Sequence, residues 1–322
     1  MTLAVQLTLA LVVIEVVAAV PQQWPTSSSG LSDAGRECGS FAAVSHLSRA
    51  SHGVRNTDKY VPPSNNGGMA SLHNSATDLR STTHKCGAVL ISDRYLLTAA
   101  HCMTGSVRLV SITLGKEDLD ENPFPGHDTY QIQEASIHPG YGSGSHAYND
   151  LAILKTDRKV QYNNKIYPFC LPGRNQVFGD YLAVEISGWG QVNQTHTFST
   201  LQTAFVRIIE NSRCESQWRE HASDLYDTIR KLSYPQGLTN QILCAGRQGV
   251  DACDGDSGGP MSYQNSAGLH TVIGIIGKRN TCPEFPITPG FYTNVANYID
   301  WIVATTGLPR SLAPSNAPQS RP

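Results

Sequence analysis

Charge is scarce in this 322-residue chain. Asp, Glu, Lys and Arg make up 16% of it and cancel to a net charge of −2. A balanced chain with a sequence pI of about 6.6 has no overall basic field, which argues against a nucleic-acid partner held through its phosphates. Long apolar runs are equally scarce: beyond the N-terminal stretch no run of 18 apolar residues occurs, so no other membrane span is expected. There is no Cys-x-x-Cys and no internal repeat, and the missing cysteine motif weakens any thiolate-metal reading. What is present is a hydrophobic content of 40%, enough for a core, together with 28 glycines and 18 prolines, which lean towards a β-rich, turn-rich fold. The eight cysteines fit four disulfides in an oxidising compartment or two zinc sites in a reducing one.

The N-terminus bears on that choice. Leu3 to Val20 are almost wholly apolar, but Glu15 interrupts them, and a carboxylate mid-helix costs roughly 2.5–3.5 kcal/mol on insertion scales. Ala18 and Ala19 then give way to Pro21 and a polar stretch. Residues 1–19 are expected to be a secretory signal peptide, with an uncleaved anchor as the alternative, and the protein to be secreted, extracellular and free of the membrane. Secretion favours disulfides. Residues 20–49 read as a pro-segment or light chain carrying one cysteine, Cys38.

From about Ala88 the chain becomes short apolar runs separated by Gly, Pro, Asp or Asn: Ala88–Ile91, Tyr95–Leu97, Leu109–Ile112, Leu151–Leu154, Leu182–Val184 and Val272–Ile276. Many short antiparallel strands closing into barrels or sandwiches are expected, an all-β fold. Two stretches have near-helical spacing, Glu215–Lys231 and Asn297–Thr306. Residues 307–322 are Pro/Ser/Asn-rich and read as a disordered tail.

Three segments carry chemistry. Thr98-Ala99-Ala100-His101-Cys102 puts a histidine after two small residues, and Asn149-Asp150-Leu151-Ala152-Ile153-Leu154 puts an aspartate at the head of an apolar strand. Asp254-Gly255-Asp256-Ser257-Gly258-Gly259-Pro260 sets a serine in a glycine-flanked turn with exposed amide groups. Singly they are weak: a histidine beside a cysteine is more often structural, and an Asp before a strand is usually a turn residue. Together, in the order His, Asp, Ser, and with Ser187-Gly188-Trp189-Gly190 and Pro289-Gly290-Phe291-Tyr292, the chain resembles the trypsin-like serine proteases of the chymotrypsin fold over roughly residues 50–306.

That resemblance implies two six-stranded antiparallel β-barrels packed face to face, with a C-terminal helix, and a secreted serine endopeptidase made as a zymogen. Ser257 would be the nucleophile, His101 the general base and Asp150 the group that orients the imidazole. The N–H groups of Gly255 and Ser257 would form the oxyanion hole. It also implies disulfides Cys86–Cys102, Cys214–Cys244 and Cys253–Cys282, leaving Cys38 and Cys170 to tether the pro-segment, unless Cys38 pairs with another chain. Activation would be a cut after a basic residue, with the new amino group pairing with Asp256. The usual Ile-Val-Gly-Gly is absent; Arg49-Ala50 is the expected site and Arg55 the runner-up.

In the same resemblance Asp251 would floor the specificity pocket and select Arg or Lys, and Gly290 would leave it open. The opposite wall departs from the pattern: Gly277-Lys278-Arg279 stands where Ser-Trp-Gly is usual, removing the serine that supports Asp150 and placing Arg279 at the pocket mouth. Arg279 either pairs with Asp251 and competes with substrate or points to solvent. Asn193-Gln194-Thr195 is a glycosylation sequon. Glu117, Asp118, Asp120 and Glu121 lie where some relatives bind calcium, but Lys116 takes the first ligand position and a solvated loop is the expectation, with no metal and no cofactor. The expected partners are a protein substrate, an upstream activating protease and a serpin-type or other inhibitor, the enzyme itself being a monomer. The rival reading is a protease-fold binding protein with weak or no turnover.

Overall fold

The computed structural model describes residues 38, 67–78, 80–121, 128–142, 146–163, 165–193, 196–248, 250, 252–264, 270–277 and 288–309. The expected signal peptide, the pro-segment apart from Cys38, Arg49, Ala50, Arg55, Asp251, Lys278, Arg279, Cys282 and the tail from residue 310 lie outside the described residues.

Six antiparallel strands close the first barrel: β1 (Met69–His73), β2 (His84–Leu90), β3 (Tyr95–Thr98), β4 (Ser111–Leu114), β5 (Thr129–Ile137) and β6 (Ala152–Thr156), in the order β1-β2-β3-β6-β5-β4. A short helix, α1 (Ala100–Thr104), follows β3. The barrel interior is filled by Leu72, Leu90, Leu96, Ile112, Leu114 and Leu154, none of which reaches solvent. Six such side chains are worth roughly 1.5–3 kcal/mol each in area removed from water.

The second barrel begins with β7 (Ala183–Gly188) and a small hairpin, β8 (Gln191–Asn193) with β9 (His196–Thr197). It continues through β10 (Gln202–Ile209), α2 (Asn211–Leu232), β11 (Ile242–Gly246), β12 (Pro260–Gln264), β13 (His270–Ile276) and β14 (Gly290–Asn294). Its closed order is β10-β11-β14-β13-β12-β7. Strand β13, His-Thr-Val-Ile-Gly-Ile-Ile, is buried along its whole length. The two expected barrels are therefore present.

After β14 a 3-10 turn (Val295–Tyr298) leads into α3 (Ile299–Thr306). Val295, Tyr298, Ile299 and Ile302 pack into the same core as the strands of the first barrel. The C-terminal helix expected from Asn297 thus starts as a 3-10 turn and becomes α-helical two residues later. It stops at Gly307, whose φ of +70° is left-handed. Leu308, assigned above to the tail, packs on the first barrel's core.

Helix α2 covers the expected Glu215–Lys231 and extends it at both ends. Its buried side chains Cys214, Trp218 and Tyr226 recur at multiples of four, a stripe facing the second barrel. Ala222 (φ −154°, ψ 52°) is non-helical and kinks the helix midway. Three disulfides join described residues: Cys38–Cys170 links positions 132 apart, Cys86–Cys102 links β2 to α1, and Cys214–Cys244 ties α2 to β11. Cys253 is also disulfide-bonded. Cys38 accordingly pairs within the chain.

Candidate catalytic site

The barrels meet where β3 runs into α1. Ala99 and Ala100 are fully buried, and the small pair lets the turn sit close to its surroundings. The Thr98 hydroxyl donates to the Gly87 carbonyl at 2.8 Å and pins the end of β3. His101 is the second residue of α1. Its backbone N–H donates to Asp150 Oδ1 at 2.9 Å, and its Nδ1 lies 2.7 Å from Asp150 Oδ2. One carboxylate thus grips one residue at two points. Asp150 is buried, with 4% of its surface exposed, so this pairing has little solvent screening. An Nδ1–H donated to a carboxylate leaves Nε2 as the acceptor of the neutral ring.

Ser257 lies in the turn between Cys253 and β12, on the second barrel. Its carbonyl accepts from Gly87 N of β2 at 2.7 Å, a direct bond across the barrel seam. Cys102 Sγ stands between the two motifs, 3.8 Å from His101 Nε2 and 3.7 Å from the Ser257 carbonyl. The peptide joining Asp254 to Gly255 has its carbonyl held by Gln191 N at 2.8 Å, which turns the Gly255 N–H the other way. Among the described residues neither that N–H nor the Ser257 N–H has a hydrogen-bond acceptor. Gly255 has φ +97°, a conformation that side chains rarely adopt, and a Cβ there would lie 2.9 Å from Gly190 Cα.

The carboxylate of Asp256 turns away from the cleft. It accepts from Gly190 N at 2.8 Å and Cys253 N at 2.8 Å. Two glycines make room for it: a Cβ on Gly188 would fall 2.0 Å from Asp256 Oδ1, and one on Gly190 2.5 Å from its Cγ. The Ser-Gly-Trp-Gly motif is therefore the socket of Asp256. Its tryptophan, Trp189, is buried and donates Nε1–H to the Glu117 carbonyl at 3.1 Å.

Two features of the site went unread in the sequence. His84 is buried; its Nε2 bonds the Gly255 carbonyl at 2.9 Å and its Nδ1 the Ser71 hydroxyl at 2.7 Å. Burial pushes its pKa down to about 4, so the ring is neutral, donating from Nε2 and accepting at Nδ1. The second is Trp218 of α2. Its Nε1–H donates to the Pro289 carbonyl at 3.0 Å and its ring packs on Phe291, 5.5 Å between centroids. It thereby backs the Pro289-Gly290-Phe291 strand from outside, with Gly290 buried at the start of β14.

Among the described residues one group of possible metal ligands comes together. Cys86, His101 and Cys102 bring possible ligand atoms within 4.8 Å, but the two sulfurs are joined to each other and have no thiolate to offer. In the acidic loop Asp120 takes the Ser81 N–H and hydroxyl, and Asp118 takes the Asp120 N–H. Those carboxylates cap backbone instead of converging. Asn193 lies on β8 at the hairpin. Among the described residues no helix is long and apolar enough to cross a membrane.

The family profile described as trypsin matches residues 60–302. The chain is 32% identical over 232 residues to the clotting factor G beta subunit of Tachypleus tridentatus, covering 69% of this chain and 71% of that protein. It is 31% identical over 234 residues to coagulation factor XI of Bos taurus, covering 70% of this chain and 34% of that one. Serine protease filzig of Drosophila melanogaster is 31% identical over 231 residues, and there the match spans 13% of the relative.

Proposed function

The chain belongs to the trypsin family of serine proteases, and on that premise we propose that it is a secreted endopeptidase that cuts after Arg or Lys once its own chain has been cleaved. The observation that carries the reading is the two-point grip of Asp150 on His101 beside a serine turn whose Gly255 and Ser257 N–H groups have no acceptor among the described residues.

In the proposed reaction His101 Nε2 takes the proton of Ser257 Oγ as that oxygen attacks the scissile carbonyl carbon. Asp150 stabilises the imidazolium and holds its tautomer. The Gly255 and Ser257 N–H groups receive the oxyanion. Collapse breaks the C–N bond, and the His101 proton leaves on the amine. Water then repeats the sequence on the acyl-enzyme, with His101 as base, and restores Ser257. These roles follow the known triad template and are assigned here through family membership.

Activation by a cut after Arg49 would free the Ala50 amino group to pair with Asp256. The socket of Gly188 and Gly190 supports this, since it already holds that carboxylate on the side away from the cleft. Ala50 buries less than the usual isoleucine, at about 0.8 kcal/mol per CH₂, so a weaker insertion is expected. Asp251 would select the basic residue, with Arg279 competing for it at the pocket mouth. Protein substrates, an upstream protease and a protease inhibitor are the partners this reading requires, and Asn193 would carry a glycan.

The second reading, a protease-fold binding protein without turnover, is favoured by Gly277, where a serine would support Asp150. Cleaving the recombinant zymogen after Arg49 and adding a fluorophosphonate separates the two. Labelling at Ser257, absent in Ser257→Ala, and hydrolysis of Arg and Lys positions in a peptide library are expected. No label and no hydrolysis after complete cleavage would leave the binding protein standing. Arg279→Gly should raise kcat/KM on Arg substrates; an unchanged value would place that arginine in solvent.

A further inference from the structure

The direction in which Asp150 presents its carboxylate depends on the backbone beneath it, and that backbone is fixed by the residue before it. We propose that Asn149 is a positioning residue: its side-chain amide locks the turn that aims Asp150 at His101. This rests on the reading of His101, Asp150 and Ser257 as the catalytic groups.

Asn149 has φ +59°, one of three left-handed non-glycine residues among those described. Asparagine tolerates that region better than other side chains because its amide bonds locally. Its Nδ2 donates to the Gly140 carbonyl at 3.1 Å. Its Oδ1 accepts from the Tyr298 hydroxyl at 3.2 Å and from Gln241 Nε2 at 3.4 Å. A carbonyl on one side and two donors on the other leave the amide a single orientation. The three partners belong to three places: the turn after β5, the 3-10 turn before α3, and the residue ahead of β11.

The main chain completes the lock. Leu151 N donates to the Asn149 carbonyl at 2.7 Å, closing a three-residue γ-turn centred on Asp150. The Thr293 hydroxyl of β14 donates to the Asp150 carbonyl at 3.0 Å. With the peptide groups on both sides of Asp150 held, its Cα–Cβ bond has one direction, and both carboxylate oxygens land on His101. A displacement of about 1 Å within a catalytic array costs about 10²-fold, so the lock bears on rate as well as on stability.

Three other groups face Asp150: Tyr141, Tyr234 and Tyr298. Burial first and the Asp150 charge second hold the hydroxyls of Tyr141 and Tyr234 above the ordinary tyrosine range; burial does the same for Tyr298 against its hydrogen bond to Asn149, with the Asp150 charge adding, so all three stay protonated at neutral pH. His138 packs on Tyr298 and Trp301, and the readout must therefore follow the His101 ring itself.

The test uses the full chain, wild type and three variants. Asn149→Gly keeps the left-handed backbone and removes the amide. Gln241→Ala removes the amide that donates to Asn149 Oδ1. Tyr298→Phe removes one hydroxyl. NMR of ¹⁵N-labelled histidine gives the His101 titration and its Nδ1–H resonance, and steady-state kinetics on an Arg ester follow activation. In Asn149→Gly the His101 pKa should fall by about half a pH unit or more as the imidazolium loses its aligned carboxylate. In the same variant kcat should drop ~10–10²-fold with KM within about twofold. Gln241→Ala and Tyr298→Phe should move in the same direction by less. A wild-type His101 titration and Nδ1–H signal in Asn149→Gly, whatever its melting temperature, would overturn the proposal. If that variant does not fold, an unchanged His101 titration in both milder variants overturns it instead. Should the wild type hydrolyse nothing, the protease reading fails, while the His101 titration still decides the role of Asn149.

Discussion

Gly255 is the residue at which backbone shape and expected chemistry coincide most closely. Its φ of +97° and the 2.9 Å gap that a Cβ would leave to Gly190 Cα make Gly255→Ala a strained substitution. It should lower kcat on an Arg ester ~10²–10³-fold, the usual cost of losing an oxyanion donor, with KM little changed. Asp150→Asn should lower kcat by ~10⁴ at neutral pH, because an amide set at 2.7 Å from Nδ1 favours the wrong imidazole tautomer. Stopped-flow or steady-state assays on the activated enzyme check both. His101, Asp150 and Ser257 were legible because each sits in a short string of distinctive neighbours. His84 and Ser71 were not: His84 reaches Gly255 across 171 residues, and nothing local marks either as part of the site.

Among the elements, α2 shows how an amphipathic pattern is read and where it stops. The stripe of Cys214, Trp218 and Tyr226 identifies a helix, but not that Trp218 turns its indole to the Pro289 carbonyl. Trp218→Ala should cost about 3–5 kcal/mol of stability by denaturant unfolding. It should also raise KM for Arg substrates, as the strand bearing Gly290 loses its backing. Strand β1 was hidden for the opposite reason. Met69-Ala70-Ser71-Leu72-His73 shows no clean alternation of apolar residues, because Ser71 and His73 are buried as fully as Ala70 and Leu72. Strand β5 carries too few apolar residues to form a run, and most of its outer face meets solvent.

For the molecule as a whole, buried imidazoles tie stability to pH. Burial first, with the neighbouring His84 adding, pushes His73 down to about 3; burial takes His84 and His270 to about 4. The unfolded chain protonates these rings below about pH 6.5, before the folded one does. Their contribution is whole above that pH and is lost as the pH falls towards 4, on the order of 3 kcal/mol for each ring. Urea midpoints measured from pH 7 to 4 should fall accordingly, and His270→Gln should make the fall shallower. An all-β fold of barrels or sandwiches was legible from the short apolar runs, and the two barrels came with the resemblance, whereas their closure order depends on pairings between distant segments that no local pattern contains. The Cys38–Cys170 bond has a consequence of another kind. If a hydrolytic cut after Arg49 switches the enzyme on, the severed N-terminal piece stays on a leash to the second barrel's flank. Switching on and letting go become two reactions with different reagents: a protease performs the first, and only a thiol donor performs the second.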